Sequence, residues 1–294
     1  MTQKKTIVAL GYFDCLHRGH RKLIETCQRI AAENGAIPTV FTFDDGFLYA
    51  IHPGAKNIYT LKERVRLLKE IGIDEVLVGQ SDASFFGQSG EDFLASIVSD
   101  RKVSGFVAGA DFRYGKGAEQ SVEDLCRWGK KNGYSVEIVD LIAENGIKIS
   151  SRDIRRLIAA GDLPRANQLL GAPYRVWGHV IHGRGVGKGY GVPTANIGVE
   201  ANKLLPASGV YETKVAVGDA RYRGLTNIGA QPTFGVEQLA VETLLLDFEG
   251  DLYGQEICLT FVQKIRDIRK FESKEALKEQ IGQDIALIRG GKES

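Results

Sequence analysis

Ile7-Val8-Ala9-Leu10-Gly11-Tyr12-Phe13-Asp14-Cys15-Leu16-His17-Arg18-Gly19-His20 is the stretch on which the fold turns. Its first four residues are apolar and suit a buried strand. Gly11 marks a turn. Leu23, Ile24, Cys27 and Ile30 then recur at helical spacing. A strand therefore feeds a turn that opens a helix. The first N–H groups of a helix are unpaired and its N-terminal dipole end is positive, so that end binds anions. His17 and His20, three apart, share one face of a first turn. Two imidazoles beside free amides make a phosphate cradle and point to nucleotide handling.

The same alternation continues outward. Ile37–Phe43, Glu75–Val78, Val103–Ala108 and Ser135–Val139 read as strands. Thr60 to Glu63 and Ser121 to Asp124 read as helix starts of the capping-box type, and Gly72 and Gly133 as helix stops. Ser89 to Asp92 offers a further cap. Strand–helix alternation predicts an α/β domain with a parallel sheet and helices on its faces. Ligands of such sheets bind beyond the carboxyl ends of strands. The loop Gly109–Gly117 lies at one such end.

Residues 149–171 read as two short helices interrupted at Gly161. From Tyr174 the pattern changes to short apolar runs between glycine turns: Tyr174–Ile181, Gly209–Val217, Tyr222–Ile228, Val241–Phe248 and Ile257–Val262. That predicts an all-β barrel or sandwich. A last amphipathic helix, about Lys274–Ile288, carries Leu277, Ile281, Ile285 and Ile288 on one stripe. The expected division is 1–148, a helical connector 149–172, and 173–294.

Composition is ordinary for a globular chain of 294 residues, 43% hydrophobic and 26% charged. A formal charge of +1 gives no electrostatic case for nucleic acid or a membrane surface. No apolar run suits a membrane span or signal-peptide core. Cys15, Cys27, Cys126 and Cys258 are scattered and read as reduced thiols, so the expected location is cytoplasmic. No protein partner is evident.

The HxGH of His17-Arg18-Gly19-His20, after a strand and a glycine turn, resembles the signature of the nucleotidyltransferase superfamily. The competing reading of the two histidines as zinc ligands lacks a third ligand cluster nearby. Ile149-Ser150-Ser151-Arg152-Asp153-Ile154-Arg155 resembles the ISSTxIR motif of the same superfamily, with Arg152 for Thr. Gly178-His179-Val180-Ile181-His182-Gly183, followed by Gly187-Lys188-Gly189-Tyr190-Gly191-Val192-Pro193-Thr194-Ala195-Asn196, is similar to the G-V-x-H-G…GR-x-G-x-PTAN motif of riboflavin kinases. The glycine strip is not a Walker A loop, because His182 stands where its first glycine belongs and Gly189 follows the lysine. It is not a Rossmann fingerprint either, because Pro193 and β-type sequence follow. With Val241-Glu242 and later signatures in order, the chain resembles bacterial bifunctional riboflavin kinase/FMN adenylyltransferases nearly end to end.

That resemblance implies two reactions. The barrel would phosphorylate riboflavin with Mg2+-ATP to FMN, and the first domain would join FMN to AMP from a second ATP, giving FAD and pyrophosphate. It implies that His17 and His20 act in catalysis and bind ATP phosphates with Gly11, Phe13, Asp14, Gly19, Ser150, Ser151 and Arg155. It implies a kinase site of Gly183, Gly187, Lys188, Gly191, Pro193, Thr194 and Asn196. Thr194 and Asn196 would hold Mg2+, for which hard oxygen donors are suited. Glu242, on the strand face of Leu244 and Leu246, would be the general base on the ribityl hydroxyl. Several residues depart from the family pattern: Cys15 for Gly, Asp44-Asp45-Gly46-Phe47 for FDPHP, Arg152 for Thr, Lys188 and Gln231 for Arg, and Leu244 for His. The first-domain changes leave open a paralogue with one activity. A flavin-binding regulator and a cytidylyltransferase are rivals that Glu242 and the kinase-like half disfavour.

Overall fold

The computed structural model describes residues 4–99, 101–140, 142–144, 147–183, 193–233 and 236–290. The chain divides into two compact units, Met1–Ser151 and Arg152–Ser294.

In the first unit, β1 (Thr6–Leu10) leads to α1 (Arg18–Glu33) and β2 (Ile37–Phe43). Two helices, α2 (Gly46–Ile51) and α3 (Leu61–Glu70), precede β3 (Glu75–Gly79). Next come α4 (Ala83–Gly87), α5 (Gly90–Val98), β4 (Val103–Gly109), α6 (Val122–Asn132) and β5 (Ser135–Val139). The five strands pair in parallel in the order β3-β2-β1-β4-β5. The order reverses between β1 and β4, and a crevice at such a switch point is where open α/β sheets bind ligands.

Local chemistry explains these elements. α1 buries Leu23, Ile24, Cys27 and Ala31 against the sheet. Thr60 with Glu63, and Ser121 with Asp124, form capping boxes. Gly133 ends α6 in the left-handed conformation, φ 80°. A small antiparallel hairpin, β6 (Ala143–Glu144) and β7 (Ile147–Lys148), follows β5.

The second unit carries α7 (Ser151–Ala160) and α8 (Leu163–Leu170), then β8 (Arg175–Ile181), β9 (Ala195–Gly198), β10 (Gly209–Val217), β11 (Ala220–Thr233), β12 (Val236–Leu245) and β13 (Glu256–Arg266). The six strands close an antiparallel barrel in the order β10-β11-β12-β9-β8-β13. Inside it, the buried hydroxyls of Thr213, Thr226 and Thr243 form a ladder with spacings of 2.8 and 2.9 Å. α9 (Lys274–Gly290) lays Ile281, Ile285 and Ile288 over Val210, Leu225 and Leu246 on the barrel's outer face. Asp284, fully buried, accepts from Arg266 Nε at 2.9 Å.

Two expected strands shift. Tyr222–Ile228 lengthens to β11, because pairing on both sides supplies ladder partners well beyond the apolar run. Val241–Phe248 moves back to β12, because Asp247 turns the chain with φ 59°. β9 adds a strand where the sequence suggested only a glycine-rich strip ending at Asn196.

Candidate functional site

The loop between β1 and α1 is held in an unusual shape. Phe13 and Leu16 adopt left-handed backbone, φ 52° and 49°. For a non-glycine residue that conformation costs about 1–2 kcal/mol. Both side chains are buried, at 0% and 1% exposure. Burial contributes about 1.5–3 kcal/mol each, enough to offset the strain. The shape delivers His17 to the N-cap of α1, where its Nδ1 accepts from the His20 N–H at 3.1 Å. In the neutral ring the remaining proton therefore sits on Nε2, a donor. The His17 and His20 rings stack, centroids 3.8 Å apart and planes within 10°. A Cβ on Gly19 would meet the His17 ring at 3.0 Å, so a larger residue would disturb the stack.

Burial lowers the pKa of His17, against a smaller opposing pull from Asp14. Burial also holds His20 well below the usual imidazole range, with the charges of His17 and Lys148 adding to it. Both rings are thus neutral near pH 7. His20 Nδ1 is buried without a hydrogen-bond partner among the described residues. Such an orphaned polar atom is costly unless a ligand satisfies it.

The rings open onto a cavity of about 180 Å³ beyond the ends of β1, β4 and β5. His17, Gly19, His20, Ser150 and Ser151 line it, so the two halves of the expected phosphate site meet. Asp111, from the loop after β4, and Lys148, at the end of β7, line it as well and pair with each other. Neither was singled out by the sequence, since Lys148 only abuts the serine motif. At the start of α1, Arg18 donates to Glu144 at 2.9 Å. Arg155 stands half-buried on α7, one turn beyond Ser151.

Ser151 donates to Asp14 at 2.6 Å. Its one proton is used there, so the 3.3 Å contact with Cys15 runs from the thiol to the hydroxyl. Cys15 is 1% exposed and fills the turn from within. Burial raises its pKa well above the ordinary thiol range, with Asp14 adding to the effect. The expectation that the histidines lack a third metal-type neighbour is corrected. Ligand atoms of Cys15, His17 and His20 lie within 4.8 Å of one another. A protonated thiol and an Nδ1 lone pair already used as a cap both work against a cation there.

The Asp44–Phe47 segment also has a structural account. Asp44 Oδ2 accepts from the Ser81 N–H at 2.9 Å, and Asp45 from the Leu61 N–H at 2.7 Å. Phe47 stacks on Phe43, centroids 4.1 Å apart. Arg64, fully buried, donates to Thr42 Oγ1 at 2.6 Å, Phe43 O at 2.9 Å and Tyr12 O at 3.1 Å. It ties the end of β2 to the loop that carries the histidines.

In the second unit, Glu242 of β12 lies opposite Asn196 of β9 and opposite Asn227 of β11. Val241 and Thr243 are buried, so Glu242 takes the other strand face, with Leu244. Opposite residues have Cβ atoms about 4.5–5.5 Å apart, so one carboxylate is flanked by two amides. The Asn196 side chain packs against Gly183, where a Cβ would come within 2.1 Å of it. Pro193 and Thr194 border a cleft of about 550 Å³ with Phe248, Glu249, Asp251 and Tyr253. His182 stacks on Tyr253 at 3.9 Å. Gly187, Lys188 and Gly191 lie outside the described residues.

The family model described as FAD synthetase matches residues 1–153, and the one described as riboflavin kinase matches residues 170–290. The bifunctional riboflavin kinase/FMN adenylyltransferase of Listeria monocytogenes is 36% identical over 96% of this chain and 91% of its own length. This chain belongs to the bifunctional riboflavin kinase/FMN adenylyltransferase family. The family's Bacillus subtilis and Escherichia coli K12 members, under the same name, are 36% and 32% identical with the same coverage. A crystal structure described as a macrolide-efflux protein from Streptococcus pneumoniae superposes with a TM-score of 0.89 and 31% identity, over 99% of this chain and 96% of that one. Among the described residues, no helix is long and apolar enough to cross a membrane. Relatives and family models together indicate riboflavin kinase and FMN adenylyltransferase activity, in domains that use ATP.

Proposed function

We propose that His17, His20, Gly19, Ser150 and Ser151 form the phosphate site of the adenylyltransferase, in a domain spanning 1–148 with the 149–172 connector supplying the serines. The observation that carries this is one cavity lined by both motif halves, over 130 residues apart, beside an orphaned imidazole nitrogen. The FMN phosphate oxygen attacks the α-phosphorus of ATP, and the bond to the pyrophosphate leaving group breaks. His17 Nε2–H, His20 and the first amides of α1 donate to the phosphate oxygens as charge moves onto them. Neutral imidazoles act here as donors, so no proton transfer to them is needed. Gly11, Phe13 and Asp14 shape the loop, Asp14 through its bond to Ser151. The part of Arg155 rests on the motif match alone.

In the kinase domain, 173–294, Glu242 is the general base that takes the proton of the ribityl hydroxyl as it attacks the γ-phosphate of ATP. Asn196 and Asn227 hold that carboxylate in position from either side. Thr194 and Asn196 offer neutral oxygens of the kind Mg2+ accepts alongside phosphate and water, and when bound the ion neutralises phosphate charge. By the motif match, Gly183, Gly187, Lys188 and Gly191 bind the ATP phosphates. Substrates are riboflavin, FMN and ATP, the location is the cytoplasm, and neither nucleic acid nor membrane takes part. Incubation with riboflavin and Mg2+-ATP, resolved by chromatography, should give FMN and then FAD. FMN that never proceeds to FAD, even when supplied as substrate, would sink the first-domain assignment.

A further inference from the structure

Lys148 belongs to neither motif, yet it stands in the wall of the phosphate cavity. Its ammonium is paired with the Asp111 carboxylate, and the two side chains are 47% and 52% exposed. The same ammonium pushes the pKa of both imidazoles down, so its charge is felt at both rings. The cavity wall also holds Asp140, and Lys148 is its one cationic side chain among the described residues. Arg18, which follows His17 directly, is engaged with Glu144 on the same hairpin. The lysine of this cavity is thus paired with a carboxylate of the same wall.

We propose that Lys148 is a further polyphosphate ligand of the adenylyl-transfer reaction, and that it exchanges its pairing with Asp111 for the anion's oxygens. An ion pair this exposed is weak, because water screens it. A polyphosphate offers several charged oxygens within a short span, and charge-assisted bonds to them are stronger. Lysine suits the exchange: its stem is flexible and its ammonium presents three rotatable donors. During transfer the oxygen of the attacking phosphate forms its bond to the α-phosphorus. The α–β bridging bond breaks, and its electron pair stays on pyrophosphate. Lys148 neutralises the charge that grows on that leaving group. This rests on the phosphate reading of the His17–His20 cavity.

The test uses the full chain and metal-free inorganic pyrophosphate, titrated by calorimetry, with FAD formation from FMN and Mg2+-ATP as the second readout. Lys148→Gln should weaken pyrophosphate binding about tenfold or more and lower kcat for FAD formation, and Lys148→Arg should recover most of both. Asp111→Asn should tighten pyrophosphate binding, and that gain should vanish in the Lys148→Gln/Asp111→Asn double variant. The thermal transition of the first unit, followed in the same preparations, reports that each variant has folded. Weakening by both single variants would make the pair a structural tie and overturn the inference. Pyrophosphate binding that survives Lys148→Gln but is lost in His20→Gln would overturn it while leaving the cavity reading standing. A wild-type chain that binds no pyrophosphate would overturn both.

Discussion

The first unit makes its site from backbone ends, whereas the second makes its site from strand register. In the first, His17 caps the helix on whose first turn His20 sits, and the turn's own amides complete the donor set. Spacing within four residues is enough to bring the two rings together. In the second, Asn196, Asn227 and Glu242 come from three strands, and only the pairing of β9, β12 and β11 sets them side by side. A one-residue slip of β12 would turn Glu242 to the opposite face. The pairing of the two rings is therefore sensitive above all to its own loop. The second is sensitive to anything that alters register.

Changes confined to one site should test that separation, and the largest effect is expected at Glu242. Glu242→Gln should lower FMN formation by about 10²–10⁴-fold, with FAD formation from supplied FMN unaffected. Loss of both activities would break the picture of two independent sites. His17→Ala removes a cap and, on the proposed reading, a phosphate donor, so FAD formation should fall by about 10²–10³-fold while FMN formation persists. Gly183→Ala sharpens the contrast, because its Cβ would collide with Asn196. It should cut FMN formation by roughly tenfold, as about 1.4 kcal/mol of misplacement would, and leave FAD formation unchanged.

Two smaller effects concern stability. Arg64→Met removes the buried guanidinium's hydrogen bonds to Thr42, Phe43 and Tyr12 and its ion pair with Asp45, and should destabilise the first unit by about 3–5 kcal/mol. A thermal scan should show only that unit's transition moving down. The pH dependence runs the same way. His20 has a folded pKa well below its ordinary value, so the unfolded chain binds more protons just below pH 6.5. Stability is full above that pH and declines as pH falls towards the folded pKa. Unfolding midpoints measured from pH 7.5 to 5 should fall less steeply in His20→Gln, and an unchanged slope would contradict the buried neutral ring.

Much of this was legible without coordinates. The β1–α1 turn, the capping boxes at Thr60 and Ser121, the stop at Gly133 and the periodic strands are decided by groups a few residues apart. The short helices α2 and α4 were not legible. They depend on Asp44 and Asp82 accepting nearby N–H groups and on an aromatic cluster drawn from separate segments. Arg64 looks like any helical surface arginine until β2 and the Tyr12 loop enclose it. Cys15 stood out as a departure within the motif, but its inward bond to Ser151 depends on a residue far along the chain.

By itself the sequence determined the two fold classes, the order of the motifs and the strand–turn–helix at the start of the chain, because each is written in short-range periodicity and local hydrogen bonding. Only the tertiary structure decided that Ser150 and Ser151 join that turn, that Lys148 and Asp111 wall the same cavity, and that two asparagines flank Glu242. Those choices depend on strand pairing and chain closure over tens of residues, where spacing in the sequence says nothing about distance in space.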